Sequence, residues 1–458
     1  MAATKKYEMD MTSGAILPKL VLFSLPLIAS GILQLLFNAA DVVVVGRFVG
    51  PQAMAAVGST ASLINLLINF FIGLSVGVNV CVARYYAAGK DTALSETIST
   101  AVLTAALSGV LLILLGTALA RPMLELMGSP QDVIGDSVRY LRIYFLGMPA
   151  VMLYNFISAI FRAVGDTKRP LYFQLAAGIV NVFLNLFFVL GMRIGVAGVA
   201  IATSVSQALS AACLLVILTR EEGRLHLDLR RLHINRQKLL EIFKVGFPAG
   251  LQSTVFSLSN VIIQSAINSF GSIAMAGSTA SANIEGFVYI SMNSVYQTNL
   301  SFCSQNIGAG KYSRINPILY RCLGLVTVIG LALGLLANLF SSQLFSFYTT
   351  DPAVAAYGKE RLLIITGPYF LCGAMDTMVG SLRGMGYSFE PMLVSFLGAC
   401  GTRILYIMTL FRLPFFHTLS WLYIGYPVSW ALTLFCHFLT FRIVRRRFPQ
   451  TDRKDGMA

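Results

Sequence analysis

Residues 25–50 read LPLIASGILQLLFNAADVVVVGRFVG, a run of 26 residues with only two charged side chains, Asp41 and Arg47. About 20 predominantly apolar residues are enough for a helix to cross the hydrocarbon core of a bilayer. Arg47 lies near the end of the run, whereas Asp41 lies inside it. The stretch therefore predicts a membrane-spanning helix, and it raises the question of why that helix carries a carboxylate.

The composition of the whole chain agrees with a membrane protein. Hydrophobic residues make up 56% of 458 and charged residues only 12%, about half the share that is usual for soluble domains. Apolar runs recur along the chain, and the first is too long to be the h-region of a cleaved signal sequence. We expect twelve spans, at residues 17–46, 53–80, 93–120, 133–160, 170–190, 195–219, 239–267, 274–303, 316–343, 354–381, 391–411 and 418–441.

The net charge of +14 is explained by where the basic residues lie. With the N-terminus inside, 25 of the 34 lysines and arginines fall in cytoplasmic loops and tails. This asymmetry is the positive-inside pattern, so we expect a multi-pass protein of the bacterial plasma (inner) membrane, with both termini cytoplasmic, and no nucleic-acid partner. The cysteines form no C-x-x-C pair. No zinc spacing, phosphate-binding glycine loop or nucleophile motif occurs either, so no enzyme and no cofactor is predicted.

The two halves of the chain resemble each other at a separation near 221 residues. FRAVGDTKRP at 161–170 matches LRGMGYSFEP at 382–391, and Pro26 has a counterpart in Pro248. Each half holds six spans, an even number, so both halves enter the membrane from the same side, as in a parallel repeat about an axis along the membrane normal. Transporters use such paired lobes to alternate access to a central cavity. Gene duplication that merely yields a stable bundle is the alternative explanation.

The predicted fold is therefore an all-α polytopic membrane protein, with twelve transmembrane helices in two six-helix lobes related by a parallel pseudo-twofold repeat. Its expected segments are a cytoplasmic N-terminal tail at 1–16, a first lobe at 17–219, a cytoplasmic linker at 220–238, a second lobe at 239–443 and a basic cytoplasmic tail at 444–458.

Of the twenty acidic residues, all but three fall in loops, tails or helix ends, and the exceptions are Asp41, Glu285 and Asp376. An ionised carboxylate at such a place costs about 2.5–3.5 kcal/mol on insertion scales, so it should bind a proton, pair with a cation or face water. Asp41 shares one face of span 1 with Gln34 and Asn38, at i, i+4 and i+7. A carboxylate among neutral oxygen donors suits Na⁺ or a proton. A hydrogen-bonded polar plug between helices would give the same pattern.

Neighbouring spans offer further polar side chains for this site, and no lysine, arginine or histidine occupies their polar faces apart from Arg142, toward the outer end of span 4. Pro26, fifteen residues before Asp41, removes a helix hydrogen bond in the same span. We hypothesise that a bend there lets the helix change shape as the carboxylate changes state. The polar candidates are Tyr140 and Asn155 in span 4, Asn181 and Asn185 in span 5, and Thr203 in span 6, with Tyr140 also expected to line the substrate cavity.

The other two carboxylates are candidates for the substrate cavity. Glu285 either faces the cavity, where it would attract cationic substrates, or is protonated and structural. Asp376 aligns with Asn155 of the first half, so this position is expected to face the cavity in both lobes. Tyr289 and Met292 follow Glu285 on span 8 and would contact a lipophilic cation through aromatic and thioether groups. Packing against lipid or other helices is the commoner reason for such a stripe.

The chain resembles the multidrug and toxic compound extrusion (MATE) family over essentially its whole length, and most closely the prokaryotic DinF-like branch. Residues 25–50, the two repeat loops at 161–170 and 382–391, and QNIGAGK at 305–311 carry the resemblance. It implies efflux of organic cations or drugs driven by inward Na⁺ or H⁺. It also implies a cation site in the first lobe, which maps onto Asp41, Asn155, Asn181, Asn185 and Thr203.

This sequence departs from the family pattern at two positions. DinF-like members typically have a second carboxylate where this chain has Asn185, which implies a weaker Na⁺ site. NorM-like members carry a glutamate in helix 7, about where this chain has Phe256. Their helix-10 aspartate corresponds to Asp376, with a register difference of about one turn.

We therefore expect a monomeric secondary antiporter that exports lipophilic, cationic drugs or metabolites in exchange for inward Na⁺ or H⁺ by alternating access of its two lobes. A flippase for lipid-linked oligosaccharides, from the same broad superfamily, would show cavity-facing arginines, for which Arg142 and Arg403 are the candidates. A major-facilitator carrier would show a Gly-Asp-Arg-type motif after span 2, where this chain reads RYYAAGKD. A channel would conduct without stoichiometric exchange.

Overall fold

The computed structural model describes residues 7–127 and 131–453, without the side chains at 51, 54, 55, 59, 62, 131 and 132. The ends of the expected tails, at 1–6 and 454–458, lie outside the described residues. Within the described ranges the chain is helical and contains no β-strand. The all-α fold class predicted from the sequence is confirmed.

Sixteen α-helices occur in the described residues, and most are far longer than the mean of about 11–12 residues in soluble proteins. They are α1 (Ile16–Phe48), α2 (Pro51–Ala87), α3 (Asp91–Leu126), α4 (Gln131–Leu146), α5 (Met148–Ala163), α6 (Lys168–Leu186), α7 (Val196–Arg220), α8 (Arg236–Asn268), α9 (Ser272–Gly308), α10 (Ile315–Leu339), α11 (Ser341–Ser346), α12 (Pro352–Thr366), α13 (Phe370–Gly384), α14 (Phe389–Ser395), α15 (Thr402–Met408) and α16 (Leu419–Arg445). Two π-helical segments, Phe187–Gly191 and Phe396–Gly401, follow α6 and join α14 to α15.

Among the described residues, eight helical segments are long and apolar enough to cross a membrane, and ten if each of two bent pairs counts as one span. Helices α8 and α9, of 33 and 37 residues, are equally long but more polar. With these two included, each of the twelve predicted spans coincides with a helical segment. The protein is a multi-pass membrane protein.

Two predicted spans are bent rather than continuous. Helices α4 and α5 meet at 47°, and α12 and α13 meet at 45°. The first bend lies at the sequence GMP (147–149) and the second at GP (367–368). Proline has no backbone N–H to donate and clashes with the preceding turn, so the helix is weakened at both points. The spans predicted over 133–160 and 354–381 each consist of two helices that meet at a bend.

The described chain forms two compact units, which are Met1–Asp10 with Ala29–Gly250, and Met11–Ile28 with Leu251–Ala458. Helices α1 and α8 each belong to both units, and each changes unit two residues after a proline, Pro26 or Pro248. The expected lobes at 17–219 and 239–443 follow chain order and so assign the first parts of these helices differently. A long helix packs on different neighbours at its two ends, which chain order does not reveal.

In the first unit, α2 crosses the beginning of α8 at very short range. Gly73 and Gly77 of α2 face Gly246 and Gly250 of α8. A Cβ built on Gly73 would lie 2.2 Å from the Cα of Gly250, and one built on Gly77 would lie 2.1 Å from the carbonyl oxygen of Ile242. Small residues four positions apart allow two membrane helices to approach this closely.

Candidate functional site

Asp41 lies in a network of amide and hydroxyl groups contributed by α6 and α7. Asn185 donates through Nδ2 to Asp41 Oδ1 at 2.5 Å, and the same nitrogen lies 3.3 Å from Asn181 Oδ1. Asn181 Nδ2 donates to Thr203 Oγ1 at 3.3 Å. Thr203 Oγ1 lies 3.4 Å from Asp41 Oδ2 but 3.0 Å from the carbonyl oxygen of Val199, so its single hydrogen is shared between two acceptors. Asp41 Oδ2 is therefore the less firmly bonded carboxylate oxygen.

The sequence places these groups together by simple spacing. Asn181 and Asn185 are four residues apart on α6, so they lie on one face of that helix. A π-helical segment, Phe187–Gly191, begins two residues after Asn185, and such segments recur at functional sites in helices. The turn of residues 192–195 then brings α7, and with it Thr203, back along α6.

The network offers oxygen atoms to a cation and contains no cation of its own. Among the described residues, no basic side chain contributes to the environment of Asp41. Asn185 is fully buried, and its Oδ1 has no hydrogen-bond partner. A buried carbonyl-type oxygen without a donor is unusual in a native protein. Since this oxygen belongs to the residue that also contacts Asp41, the site has a vacant acceptor next to a carboxylate.

The structure separates several predicted site residues from this network. Gln34 and Asn38 are exposed on α1, and within the described chain neither side chain forms a hydrogen bond. Asn155 donates to the carbonyl oxygen of Val151 in its own helix at 2.8 Å instead of to Asp41. Gln34, Asn38 and Asp41 share one face of α1, but only Asp41 lies in the part of that face that contacts α6 and α7.

Tyr140 is buried on α4, 5% exposed. Its ring stacks on Tyr144 with centroids 5.9 Å apart. It therefore lies in the packed part of the first unit, and its expected place in a substrate cavity stays a prediction.

In the second unit, Asp376 and Tyr289 are brought together as a pair. Tyr289 lies on α9 and donates through its hydroxyl to Asp376 Oδ2 on α13, at 3.4 Å. Asp376 is half-buried, and Tyr289 is 39% exposed. The ring of Tyr289 stacks on Tyr369 at 6.5 Å, and Tyr369 stacks on Trp430 of α16 at 5.3 Å. Asp376 and Tyr289, both predicted from the sequence, thus lie next to each other, and Tyr289 belongs to a larger group of stacked aromatic rings.

Glu285 does not fit either of its expected roles. Its two carboxylate oxygens accept bonds from Arg361 Nε at 2.8 Å and Nη2 at 2.9 Å, and Ser281 also donates to it. Arg361 donates through Nη1 to Ser278 at 2.8 Å. Both members of the pair are buried. Glu285 is therefore neutralised by a cation of the protein itself, neither free to attract a cationic substrate nor in need of a proton.

Met292 is a packing residue. It is 1% exposed, and a Cβ built on Gly330 or Gly373 would lie 2.9 or 2.8 Å from its Sδ. Its side chain thus lies between α9, α10 and α13, and the expectation that it lines the substrate cavity is wrong for this structure. Tyr289, three residues earlier, is on the exposed side of the same helix.

Sequence reasoning missed three buried groups of the second unit. Arg361 lies 76 residues from Glu285 along the chain, and Arg383 is bonded to Tyr296 at 2.7 Å and to Gln252 at 2.9 Å. Trp430 completes the aromatic group. For Arg361, the available signal was a basic residue within the predicted span 354–381, but the sequence does not say which carboxylate, if any, it pairs with.

No group of three or more His, Cys, Asp or Glu side chains that could hold a metal ion occurs in the described part of the chain. At Asp41 the donors are one carboxylate, two amides and one hydroxyl. This set carries a single negative charge, which matches a monovalent cation or a proton and not a tightly held divalent metal.

These features define a class: an internally repeated, multi-pass helical membrane protein with an uncompensated carboxylate held among neutral oxygens inside a span. The MatE family model matches the chain twice, over residues 26–187 and 248–409, and the chain belongs to this family. The two matches begin at Pro26 and Pro248, the prolines that the internal repeat aligns. The family resemblance seen in the sequence is confirmed, whereas the DinF-like branch stays a prediction.

Relatives and solved structures of similar fold agree with this membership. The chain is 28% identical over 420 residues to the probable multidrug resistance protein YoeA of Bacillus subtilis, covering 90% of each chain. It is 27% identical over 392 residues to the probable multidrug resistance protein NorM of Thermotoga maritima, covering 84% of each.

Among solved structures, an outward-facing multidrug resistance MATE family transporter of the MOP superfamily superposes with a TM-score of 0.88 at 19% identity, over 98% of this chain and 99% of that one. A MOP superfamily transporter from Pyrococcus furiosus superposes with a TM-score of 0.91 at 19% identity, over 97% and 99%. At this identity the structures show a shared fold.

Proposed function

We propose that this protein is a secondary antiporter of the bacterial plasma membrane, with both termini cytoplasmic, that exports lipophilic cationic drugs or metabolites in exchange for inward Na⁺ or H⁺. One observation carries the proposal: Asp41, inside a membrane-spanning helix, has amide and hydroxyl neighbours and no basic partner among the described residues. The names of its relatives, YoeA and NorM, support drug export as the transport reaction.

The coupling ion is proposed to exchange at Asp41. An ionised Asp41 accepts from Asn185 Nδ2 in the arrangement described above. Na⁺ would bind the carboxylate together with Asn185 Oδ1, the buried oxygen that has no hydrogen-bond donor. A proton would neutralise the same carboxylate. One monovalent ion that moves through 100 mV releases about 2.3 kcal/mol, which sustains a substrate gradient of roughly fifty-fold.

The exported compound is proposed to contact the second unit. Asp376 offers a half-buried carboxylate, and Tyr289 offers an exposed aromatic ring beside it, stacked on the buried ring of Tyr369. Aromatic faces bind organic cations, more strongly where water is excluded. We propose that the protein works as a monomer by alternating access, with no cofactor beyond the coupling ion and no catalytic chemistry.

A flippase for lipid-linked oligosaccharides is less well supported. A flippase was expected to show cavity-facing arginines, for which Arg142 and Arg403 were the candidates. Arg142 is exposed on α4, so only Arg403 of these two is buried. The aromatic rings beside Arg403 favour a small aromatic substrate over a chain of sugars.

The proposal is tested by uptake of a cationic dye into inverted membrane vesicles, energised separately by an imposed Na⁺ gradient and an imposed pH gradient. The gradient that drives wild-type uptake identifies the coupling ion. We expect Asp41→Asn to lower the rate under that gradient at least about tenfold, because the amide cannot exchange charge, and a change of 1.4 kcal/mol is already tenfold.

Asp136→Asn is the matched control, since it removes the same charge from an exposed position on α4 and should pump like wild type. Uptake by Asp41→Asn at the wild-type rate would show that the coupling ion exchanges elsewhere. Uptake by wild type under neither gradient would contradict secondary transport itself.

A further inference from the structure

The second unit contains a buried guanidinium without a carboxylate partner. Arg403, on α15, is 5% exposed. Its Nε donates to Ser429 Oγ at 2.8 Å, and its guanidinium lies over the ring of Tyr426 at 4.4 Å and over that of Trp430 at 5.7 Å. Its Nη2 is buried and has no hydrogen-bond partner in the described structure. Arg403 therefore keeps donor capacity that the protein does not use.

Arg361 shows the contrasting arrangement, while Arg383 of the same unit also has a buried nitrogen, Nε, without a hydrogen-bond partner. Arg361 is equally buried in the same unit, and Glu285 and Ser278 satisfy all three of its nitrogens. A buried donor that lacks an acceptor is costly, more so when it is charged. An ionisable residue left in this state within a membrane span is by default a functional-site candidate. A role in helix packing alone would not require a guanidinium at position 403.

A series of stacked aromatic rings leads from Arg403 to the carboxylate of Asp376. Trp430, which the guanidinium overlies, stacks on Tyr369, Tyr369 stacks on Tyr289, and Tyr289 is hydrogen-bonded to Asp376. The ring planes of these two stacked pairs differ by only 28° and 29°, so the rings of each pair lie nearly parallel. This series of rings has the carboxylate of Asp376 at one end and the guanidinium of Arg403 at the other.

We propose that Arg403 is an anion-accepting subsite, which binds the carboxylate of an aromatic zwitterion whose cationic group lies toward Asp376. The planar fork of arginine matches a carboxylate with two parallel hydrogen bonds. A ligand carboxylate would satisfy Nη2, and its aromatic body would contact Tyr289, the exposed ring of this series. The inference rests on the proposed export function and narrows its substrate class from lipophilic cations in general to those that also carry an anionic group.

The test uses two dyes that differ in this one group. Rhodamine B carries a cationic ring system and a free carboxylate, and its ethyl ester keeps the rings and the cation but loses the anion. Binding of each dye to the purified full-length protein in nanodiscs is measured by fluorescence polarisation. We expect Arg403→Gln to weaken rhodamine B binding about tenfold, the loss expected for charge-assisted hydrogen bonds, and to change ester binding less than about twofold.

Two further variants sharpen the result. Arg403→Lys keeps the charge but not the fork, so its affinity for rhodamine B should fall between wild type and Arg403→Gln. Arg412→Gln removes the same charge from an exposed position nearby, and should bind both dyes like wild type.

The proposal is overturned if monodisperse Arg403→Gln binds both dyes equally less well, or binds rhodamine B as wild type does. It is also overturned if wild type binds the ester and not rhodamine B. If Arg403→Gln does not fold, the comparison of Arg403→Lys with wild type decides, since loss of both dyes to the same extent contradicts a carboxylate contact. Failure of wild type to bind either dye would contradict the export of aromatic cations instead.

Discussion

At the scale of single residues, we propose that Asn185 sets how strongly the first unit holds a cation. Its Nδ2 contacts Asp41 Oδ1, and its Oδ1 is buried without a donor. It supplies a neutral amide at a place where a carboxylate would double the negative charge of the site. Two unit charges about 4 Å apart interact by about 4 kcal/mol at an effective dielectric constant of 20, so the change from amide to carboxylate should be visible in transport.

Asn185→Asp is expected to raise the affinity of the site for its coupling ion, because a bound cation relieves repulsion between the two carboxylates. If Na⁺ couples, the concentration that gives half-maximal uptake should fall about tenfold. If protons couple, the half-maximal pH should rise by about one unit. Uptake into inverted vesicles at varied Na⁺ and pH measures both.

The matched control is Asn283→Asp, at an exposed position of α9, which should leave both dependences unchanged. An Asn185→Asp variant with wild-type dependence on both ions would show that Asn185 is not part of the coupling site.

Glu285 and Arg361 provide the second prediction at this scale. Glu285→Met leaves Arg361 buried with no counter-charge and should destabilise the protein by about 3–5 kcal/mol. The double variant Glu285→Met/Arg361→Met should recover much of this loss, since apolar residues of similar size often replace a buried ion pair at little cost. Denaturant unfolding of the purified protein in detergent measures both. A double variant no more stable than Glu285→Met would contradict the account of an uncompensated charge.

Sequence spacing brings side chains together where a single helix decides the outcome. Asn181 and Asn185 lie together because four residues make about one helical turn. The expectation for Gln34 and Asn38 used the same spacing but depended on which part of α1 meets α6 and α7, and they are exposed. Glu285 was misread because its partner, Arg361, lies 76 residues away in sequence, a contact that spacing cannot predict.

At the scale of helices, hydropathy predicted the spans well because a membrane requires an unbroken apolar length. It did not predict the bends at 147–149 and 367–368, although glycine and proline mark both points in the sequence. A proline inside a span does not by itself distinguish a bend from a continuous helix, since Pro26 and Pro248 lie within α1 and α8, which continue past them. What differs is the packing around each proline, which the sequence does not contain.

The crossing of α2 and α8 gives a prediction for these elements. Gly77→Ala places a Cβ 2.1 Å from the carbonyl oxygen of Ile242, so the helices must separate. We expect a loss of about 1–3 kcal/mol, typical of overpacking, although alanine is the better helix former. Gly135→Ala is the control, because a Cβ at this exposed position meets nothing within 4 Å, and it should be neutral or stabilising by up to about 1 kcal/mol. Thermal unfolding in detergent compares the two, and equal stabilities would mean that the crossing is loose.

At the scale of the whole molecule, the two units differ in the polar side chains around their carboxylates. The first holds Asp41 among amides and a hydroxyl, a set suited to a small inorganic cation. The second holds Asp376 beside stacked aromatic rings, a set suited to an organic one. On the basis of these different donors, we propose that ion coupling and substrate recognition are divided between the two units.

This division predicts different kinetic effects for the same substitution in the two units. Asp376→Asn should raise the apparent KM for a cationic dye about tenfold, since the loss of a charge-assisted contact is worth roughly 1.5–3 kcal/mol, and should leave the half-maximal Na⁺ concentration or pH within about twofold. Asp41→Asn should instead abolish the response to the coupling gradient at every dye concentration. Dye uptake measured over a grid of substrate and ion concentrations separates these outcomes. If Asp376→Asn shifts the ion dependence and leaves the dye KM unchanged, the coupling site extends into the second unit, and the division of labour drawn from the side chains around each carboxylate is wrong.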